Sequence, residues 1–172
     1  NFGAAAHEAG AKIVQGIEFD TAELTTRYQL DDNEKRRMLY MIGVIFRWWG
    51  KHGEAFCQDD GTLRVLDFKT TRLRDVDYTP QLMEYLYLAY AMSKDSIGLP
   101  PGLNVEAEMS RGSYTGHADV LFSPSGPVQK CQYIVLFLED QSHVVSELFD
   151  TEAVMAEHDA YCDRIDNWDG RT

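Results

Sequence analysis

Residues 63–71, L-R-V-L-D-F-K-T-T, are the stretch whose reading decides the fold. Leu63, Val65 and Leu66 form an apolar run typical of a buried strand, and it ends in an acid and a base two positions apart. Side chains at i and i+2 of a strand share a face, so Asp67 and Lys69 are expected to project together while Phe68 turns the other way. A carboxylate beside an ammonium at a strand end can hold a divalent metal and, next to it, a water to be activated. From these residues alone, a surface ion pair is an equal reading.

Upstream of this strand, Asp59, Asp60 and Gly61 are a turn signal, and residues 54–58 are expected to pair with the strand as a hairpin. Residues 31–50 place acids first, then a long apolar body, then Gly50, which predicts a capped and largely buried helix with its two tryptophans as core or groove wall. Residues 4–16 are Ala-rich and end on Gly16, a helix with a glycine stop that carries His7 near its start. Between the two, residues 17–30 hold a short helix capped by Asp20 or Thr21.

Downstream, residues 72–79 read as a polar connector, and Pro80 sits where a helix begins. Residues 81–93 continue as that helix, with Leu82, Tyr85, Leu86 and Ala89 on one face. Residues 97–102 are a Pro- and Gly-rich loop. Residues 104–122 contain two strand-like pieces, V-E-A-E-M and G-H-A-D-V-L-F, joined by the turn-prone S-R-G-S-Y-T. A turn at 123–127, a central strand at 132–138, a further strand at 144–149 and a closing helix at 151–168 complete the chain. The expected architecture is α/β, a mixed central sheet flanked by helices. It forms a single domain with a helical N-terminal part, about 1–52, and a sheet-containing core, about 53–172.

The length of 172 residues suits one domain with a proper core. With 44% hydrophobic and 26% charged residues, no apolar run long enough to span a bilayer and no signal-peptide pattern, the composition leads to the expectation of a cytoplasmic protein without a membrane partner. Cys57, Cys131 and Cys162 are scattered and odd in number, which suits reduced thiols and offers no zinc-type spacing. A formal net charge of -12 disfavours non-specific attraction to nucleic acid across the whole surface. A metal-dependent nuclease, however, clusters acids at its centre and can confine its basic residues to one groove. Lys35, Arg36, Arg37, Arg47 and Lys51, then Arg72 and Arg74, are the candidates for that groove.

With these pieces placed, L-D-F-K-T-T followed after a short connector by P-Q-L-M-E-Y-L-Y-L-A-Y resembles the PD-(D/E)xK nuclease superfamily, in its RecB-like and phage-exonuclease branch. In that family an aspartate, a backbone carbonyl and a second acid hold the metal, a lysine helps activate water, and a Q-x-x-x-Y helix follows the catalytic strand. Gln81 and Tyr85 match the last signature. The early helix of the family carries a histidine, as His7 does in A-A-A-H-E-A, and Y-T-G-H-A-D-V-L-F is similar to the family's G-x-x-D strand. The resemblance therefore implies a restriction-endonuclease-like core and hydrolysis of DNA phosphodiesters with Mg²⁺ or Mn²⁺. The expected activity is that of an exonuclease on ends or single strands, in phage or host recombination or repair. It makes Asp67 and Asp119 metal ligands with help from His7, Lys69 the residue that positions water, and Gln81 and Glu106 assisting groups. Glu108 is the alternative to Glu106. Ring-shaped homo-oligomers occur among related phage exonucleases, while the four iron-sulfur cysteines of the CRISPR-associated relatives have no counterpart here.

One departure is evident: the family's G-x-x-D strand precedes the D-x-K strand, whereas Asp119 follows Lys69 and the Gln81 helix. Three arrangements answer it, in order of preference. The strand carrying Asp119 lies beside the strand carrying Asp67 in a rewired fold; or Glu54 supplies the first acid; or Glu139 and Gln141 form a variant E-x-Q site with Asp119. Taken without the resemblance, His7 is more readily a packed or solvated histidine. Gln81 and Tyr85 are as readily the start and lining of a core helix, Asp119 a strand-edge acid, and His117, His143 and His158 structural or surface groups. A nuclease-fold domain that has lost catalysis and serves as a binding or assembly module is the alternative from a different functional class.

Overall fold

The computed structural model describes residues 1–70, 77–95, 98–108 and 115–167, without the side chains of Glu108 and Thr115. Three helices come first: α1 (Phe2–Gln15), α2 (Thr21–Arg27) and α3 (Asp32–Phe56). Asn1 caps α1 by accepting from the Gly3 and Ala4 amides, and Gly16 ends it in the left-handed region at φ 71°. Asp20, rather than Thr21, caps α2. Asp31 and Glu34 form a reciprocal capping box on α3, each side chain accepting from the other residue's amide.

Gly50 does not end α3. The helix runs on to Phe56, so the hairpin expected from residues 54–58 is absent and Glu54 stands exposed on the last helical turn. A glycine inside a helix costs only about 1 kcal/mol. Gly53, three residues on, lies against the Trp49 indole, where a β-carbon would crowd the ring.

The strand β1 (Thr62–Lys69) follows, then α4 (Thr79–Ser93), β2 (Asn104–Glu108), β3 (Thr115–Phe122), β4 (Lys130–Phe137), the short strands β5 (Ser142–Val145) and β6 (Phe149–Asp150), and α5 (Thr151–Asp166). The two short strands stand where a single one at 144–149 was expected. The sheet order is β2-β3-β1-β4-β5, with β6 also on β4. β1 is antiparallel to β3 and parallel to β4, so the sheet is mixed and β1 is central, buried along its whole length. Parallel pairing of β1 with β4 needs a crossover, and α4 with the β2–β3 hairpin supplies it.

Alternation along β1 divides the core. Leu63 and Val65 pack with Leu82 and Leu86 of α4, together with Val120 and Val154. Leu66 and Phe68 face the other way, into a cluster with Ile13 of α1 and Met41 and Ile45 of α3. Helices therefore cover both faces, an α/β fold with a mixed sheet flanked by helices. Gly10 allows α1 to approach closely, since a β-carbon there would overlap the Phe68 ring. No helix among the described residues is long and apolar enough to cross a membrane.

Candidate active site

The β1–β3 ladder carries the arrangement that matters. Its register pairs Arg64 with Phe122, Val65 with Val120 and Leu66 with Asp119, with a bulge between the first two rungs, and it ends there. The β1–β4 ladder continues three residues further, to Lys69 opposite Phe137. Residues 67–69 thus keep a ladder neighbour on one side only, and Asp67 and Asp119 sit on adjoining strands but on opposite faces of the sheet. The strand that comes late in the chain lies beside the D-x-K strand, the first of the three arrangements set out above.

Asp67 and Lys69 share the α4 face of the sheet, as their spacing requires. Lys69 Nζ stands 2.8 Å from Asp67 Oδ2 and donates to Gln81 Oε1 at 2.8 Å. It also lies 4.4 Å from the centre of the Tyr78 ring, a cation–π contact. All three polar residues are nearly or fully buried: Asp67 is 2% exposed, Gln81 4% and Lys69 9%. Lys69 is the close partner of Asp67 Oδ2, and Gln81 Nε2 has no acceptor among the described residues. Unsatisfied buried polar groups are uncommon in folded proteins because each costs about 1–3 kcal/mol.

Gly116 explains how Gln81 reaches this position. A β-carbon at Gly116 would fall inside the envelopes of the Tyr85 hydroxyl and Gln81 Nε2. The glycine of G-H-A-D is what allows α4 to lay these two side chains against the backbone of β3.

Asp119 lies on the opposite face of the sheet, level with Leu66, and is 3% exposed. Asn104 Nδ2 donates to its Oδ1 at 3.4 Å, while Asn104 Oδ1 lies 3.1 Å from His117 Nδ1. Burial raises the Asp119 carboxyl to about 7, against the hydrogen bond from Asn104, and the charge of Asp67 adds to the rise. Burial likewise lifts Asp67 to about 6, although the Lys69 charge and hydrogen bond oppose it. Two buried acids on adjoining strands are therefore both held well above the usual carboxylate range.

His7, half-buried on α1, sits edge-on to the Phe68 ring with centroids 5.8 Å apart. Burial, then the positive charges of Lys69 and His117, lower it to about 4, so it is a neutral imidazole at pH 7. Glu106 is exposed on β2, one strand beyond β3, with Oε1 3.5 Å from His117 Nδ1. The Glu108 side chain lies outside the described residues.

The two remaining arrangements for the first acid do not come together. Glu54 is at the end of α3, beside the start of β1, where Phe56 O accepts from Arg64. Glu139 and Gln141 lie in the β4–β5 turn and face Tyr40 of α3, whose hydroxyl accepts from Gln141 Nε2 and donates to Glu139 O. Among the described residues no three His, Cys, Asp or Glu side chains are grouped closely enough to hold a metal ion. The expected basic residues Lys35, Arg36, Arg37, Arg47 and Lys51 are all exposed along α3, and Arg72 and Arg74 lie outside the described residues. Sequence reasoning missed Asn104 and His117 as neighbours of Asp119. Only the β2–β3 register, which sets Asn104 opposite Asp119 and Glu106 opposite His117, brings them there.

Compared with known proteins, the chain matches no family model, no curated protein and no solved structure.

Proposed function

We propose that the protein is a metal-dependent deoxyribonuclease built on a restriction-endonuclease-like core, an exonuclease that hydrolyses phosphodiester bonds at DNA ends or in single strands. The observation that carries the reading is the buried cluster of Asp67, Lys69 and Gln81 on β1 and α4, with Asp119 on the adjoining strand β3. The motif pair D-x-K and Q-x-x-x-Y supports it from the sequence, as does the G-x-x-D glycine on which Gln81 and Tyr85 rest. A role in phage or host recombination or repair follows from the family likeness.

Asp67 and Asp119 would hold Mg²⁺ or Mn²⁺, for which hard carboxylate oxygens are suited donors. Two buried carboxyls raised towards neutrality fit a cation, and an arrangement of two acids and a backbone carbonyl calls on only two acidic side chains. The metal, when bound, supplies stabilisation of the charge that develops on the phosphate oxygens. Lys69, held by Asp67 and Gln81, is positioned to orient and polarise a water for attack on phosphorus. His7, kept neutral, would assist from α1, and Glu106 from β2 beside His117.

The test is incubation of linear duplex and single-stranded DNA with the protein, with and without Mg²⁺ or Mn²⁺, alongside Lys69→Ala. Metal-dependent shortening of strands that Lys69→Ala abolishes is the expected result. An inactive parent protein, or an active Lys69→Ala, would overturn the catalytic assignment. The rival reading, an inactive nuclease-fold module for binding or assembly, has its own observation. Lys69 Nζ already lies against both Asp67 and Gln81, and among the described residues no group of three acids or imidazoles is close enough to hold a metal. It predicts DNA binding without cleavage.

A further inference from the structure

α5 docks on α4 through a chain of four side chains that the candidate active site does not use. Glu84 of α4 is 6% exposed, and its two carboxylate oxygens lie 3.1 and 3.0 Å from His158 Nδ1. On the far side of the same ring, His158 Nε2 lies 3.4 Å from Cys162 Sγ. The Tyr87 ring stacks flat on the imidazole, with centroids 3.5 Å apart and planes 3° from parallel. His158 and Cys162 stand four residues apart on α5, which brings their side chains to one face on successive turns. Both are half-buried, and Cys162 is a free thiol.

Three features set this chain apart from an ordinary helix contact. An ionised carboxylate can only accept, so Nδ1 carries the ring proton and Nε2 turns its lone pair on the thiol. A carboxylate behind a histidine in this way is what orients a metal-ligating imidazole and raises its basicity. The second feature is the bite. A tetrahedral Zn²⁺, with Zn–S of about 2.3 Å and Zn–N of about 2.0–2.1 Å, separates its sulfur and nitrogen ligands by roughly 3.5 Å. The two donor atoms already stand 3.4 Å apart. The third is charge. Desolvation and then Glu84, Asp166, Asp159 and Asp163 push the Cys162 thiol up, so the negative field around the sulfur opposes a bare thiolate and favours a cation beside it. The basic groups acting on Glu84 are His158 itself and Arg164.

We propose that His158 Nε2 and Cys162 Sγ form a chelate for a thiophilic divalent cation of the Zn²⁺ class, with Glu84 as the outer carboxylate and Tyr87 fixing the ring plane. On binding, the thiol gives its proton to solvent and the sulfur becomes a thiolate ligand. Among the described residues no third His, Cys, Asp or Glu is grouped with this pair, so water completes the coordination shell. Sulfur and imidazole nitrogen select Zn²⁺ or Co²⁺ over Mg²⁺, which separates this site from the hard-carboxylate chemistry proposed for Asp67 and Asp119. The proposal does not rest on the nuclease reading.

Titration of the reduced full chain with Co²⁺, followed by absorption, tests it. A thiolate-to-Co²⁺ charge-transfer band is expected in the near ultraviolet, which carboxylate ligands do not give, and Cys162→Ser or His158→Gln removes it. Glu84→Gln keeps the band and weakens affinity about tenfold or more. In the parent protein, where no variant has to fold, Zn²⁺ but not Mg²⁺ protects Cys162 from iodoacetamide, read by peptide mapping with Cys57 as the reference. No band, a band that survives Cys162→Ser or His158→Gln, affinity unchanged in Glu84→Gln, or alkylation of Cys162 as fast with Zn²⁺ as without it overturns the proposal.

Discussion

The two ends of β1 both bury charge, and they do so in opposite ways. At the start of the strand, Arg64 is fully employed: its guanidinium grips Asp60 through two nitrogens, at 2.8 and 3.2 Å, and donates to Gln132 Oε1 and Phe56 O. Gln132 in turn donates to Ser146 O, so no group in this network is left over. At the far end, Lys69 meets Asp67 and Gln81, yet Gln81 Nε2 remains without an acceptor among the described residues, and both nearby acids are pushed towards their neutral forms. The satisfied end holds structure together. The unsatisfied end retains free-energy cost that a bound cation could recover, and that asymmetry on one strand is the physical argument for placing a site there.

The largest test of this contrast is at the satisfied end. Arg64→Ala is expected to destabilise the protein by roughly 3–5 kcal/mol in urea unfolding, because it removes the buried guanidinium's hydrogen bonds to Asp60, Gln132 and Phe56 O and leaves the buried Gln132 Oε1 unpaired. Lys69→Met should cost less, since Asp67, already raised to about 6, can shed its charge by taking up a proton. An equal loss from both would erase the distinction between the two ends.

Next in size is the pH response. The folded-state pKa of Asp119, about 7, is raised above its ordinary value of 3.8. The neutral carboxyl therefore favours the folded state fully below about 4, and that contribution disappears as pH rises through 7. Asp119→Asn cannot ionise, so its stability relative to the parent should grow by roughly 2–4 kcal/mol between pH 4 and pH 8. His7 acts in the opposite sense: lowered to about 4, it contributes stability above its ordinary 6.5 that is lost as pH falls, and this term cancels in the comparison of variant with parent. Under the proposed function, Mg²⁺ should restore stability to the parent above pH 7 and leave Asp119→Asn unchanged. A flat difference across this range would remove Asp119 from the unsatisfied end.

The smallest effect sharpens the geometry. Gly116→Ala puts a methyl group into the space of Gln81 Nε2 and the Tyr85 hydroxyl, and should cost roughly 1–3 kcal/mol by thermal unfolding. Because it displaces Gln81 from Lys69, cleavage under the proposed function should fall further than the folded fraction does. Gly50→Ala, where a β-carbon meets no neighbouring atom, is the matching control and should be neutral or stabilising.

Much of the local structure was legible in the residues. The alternation of L-R-V-L-D-F-K fixed which side chains of β1 share a face, and the capping acids of α3 and the proline of α4 marked two helix starts. The glycine at 50 misled, because a helix stop depends on a left-handed backbone and not on the residue alone. Gly16 adopts one, and the chain at Gly50 simply continues as helix. His117 and Asn104 were not legible as neighbours of Asp119, because their importance comes from a hairpin register and not from any spacing with the D-x-K strand.

The sequence by itself determined that Asp67 and Lys69 project together and that Gln81 opens the next helix, since strand period and helix-start chemistry act over a few residues. That the strand carrying Asp119 lies beside theirs was decided only by the tertiary structure. Pairing of β3 with β1 joins segments about fifty residues apart, and it is selected by burial of both sheet faces under helices, a condition that no local pattern encodes.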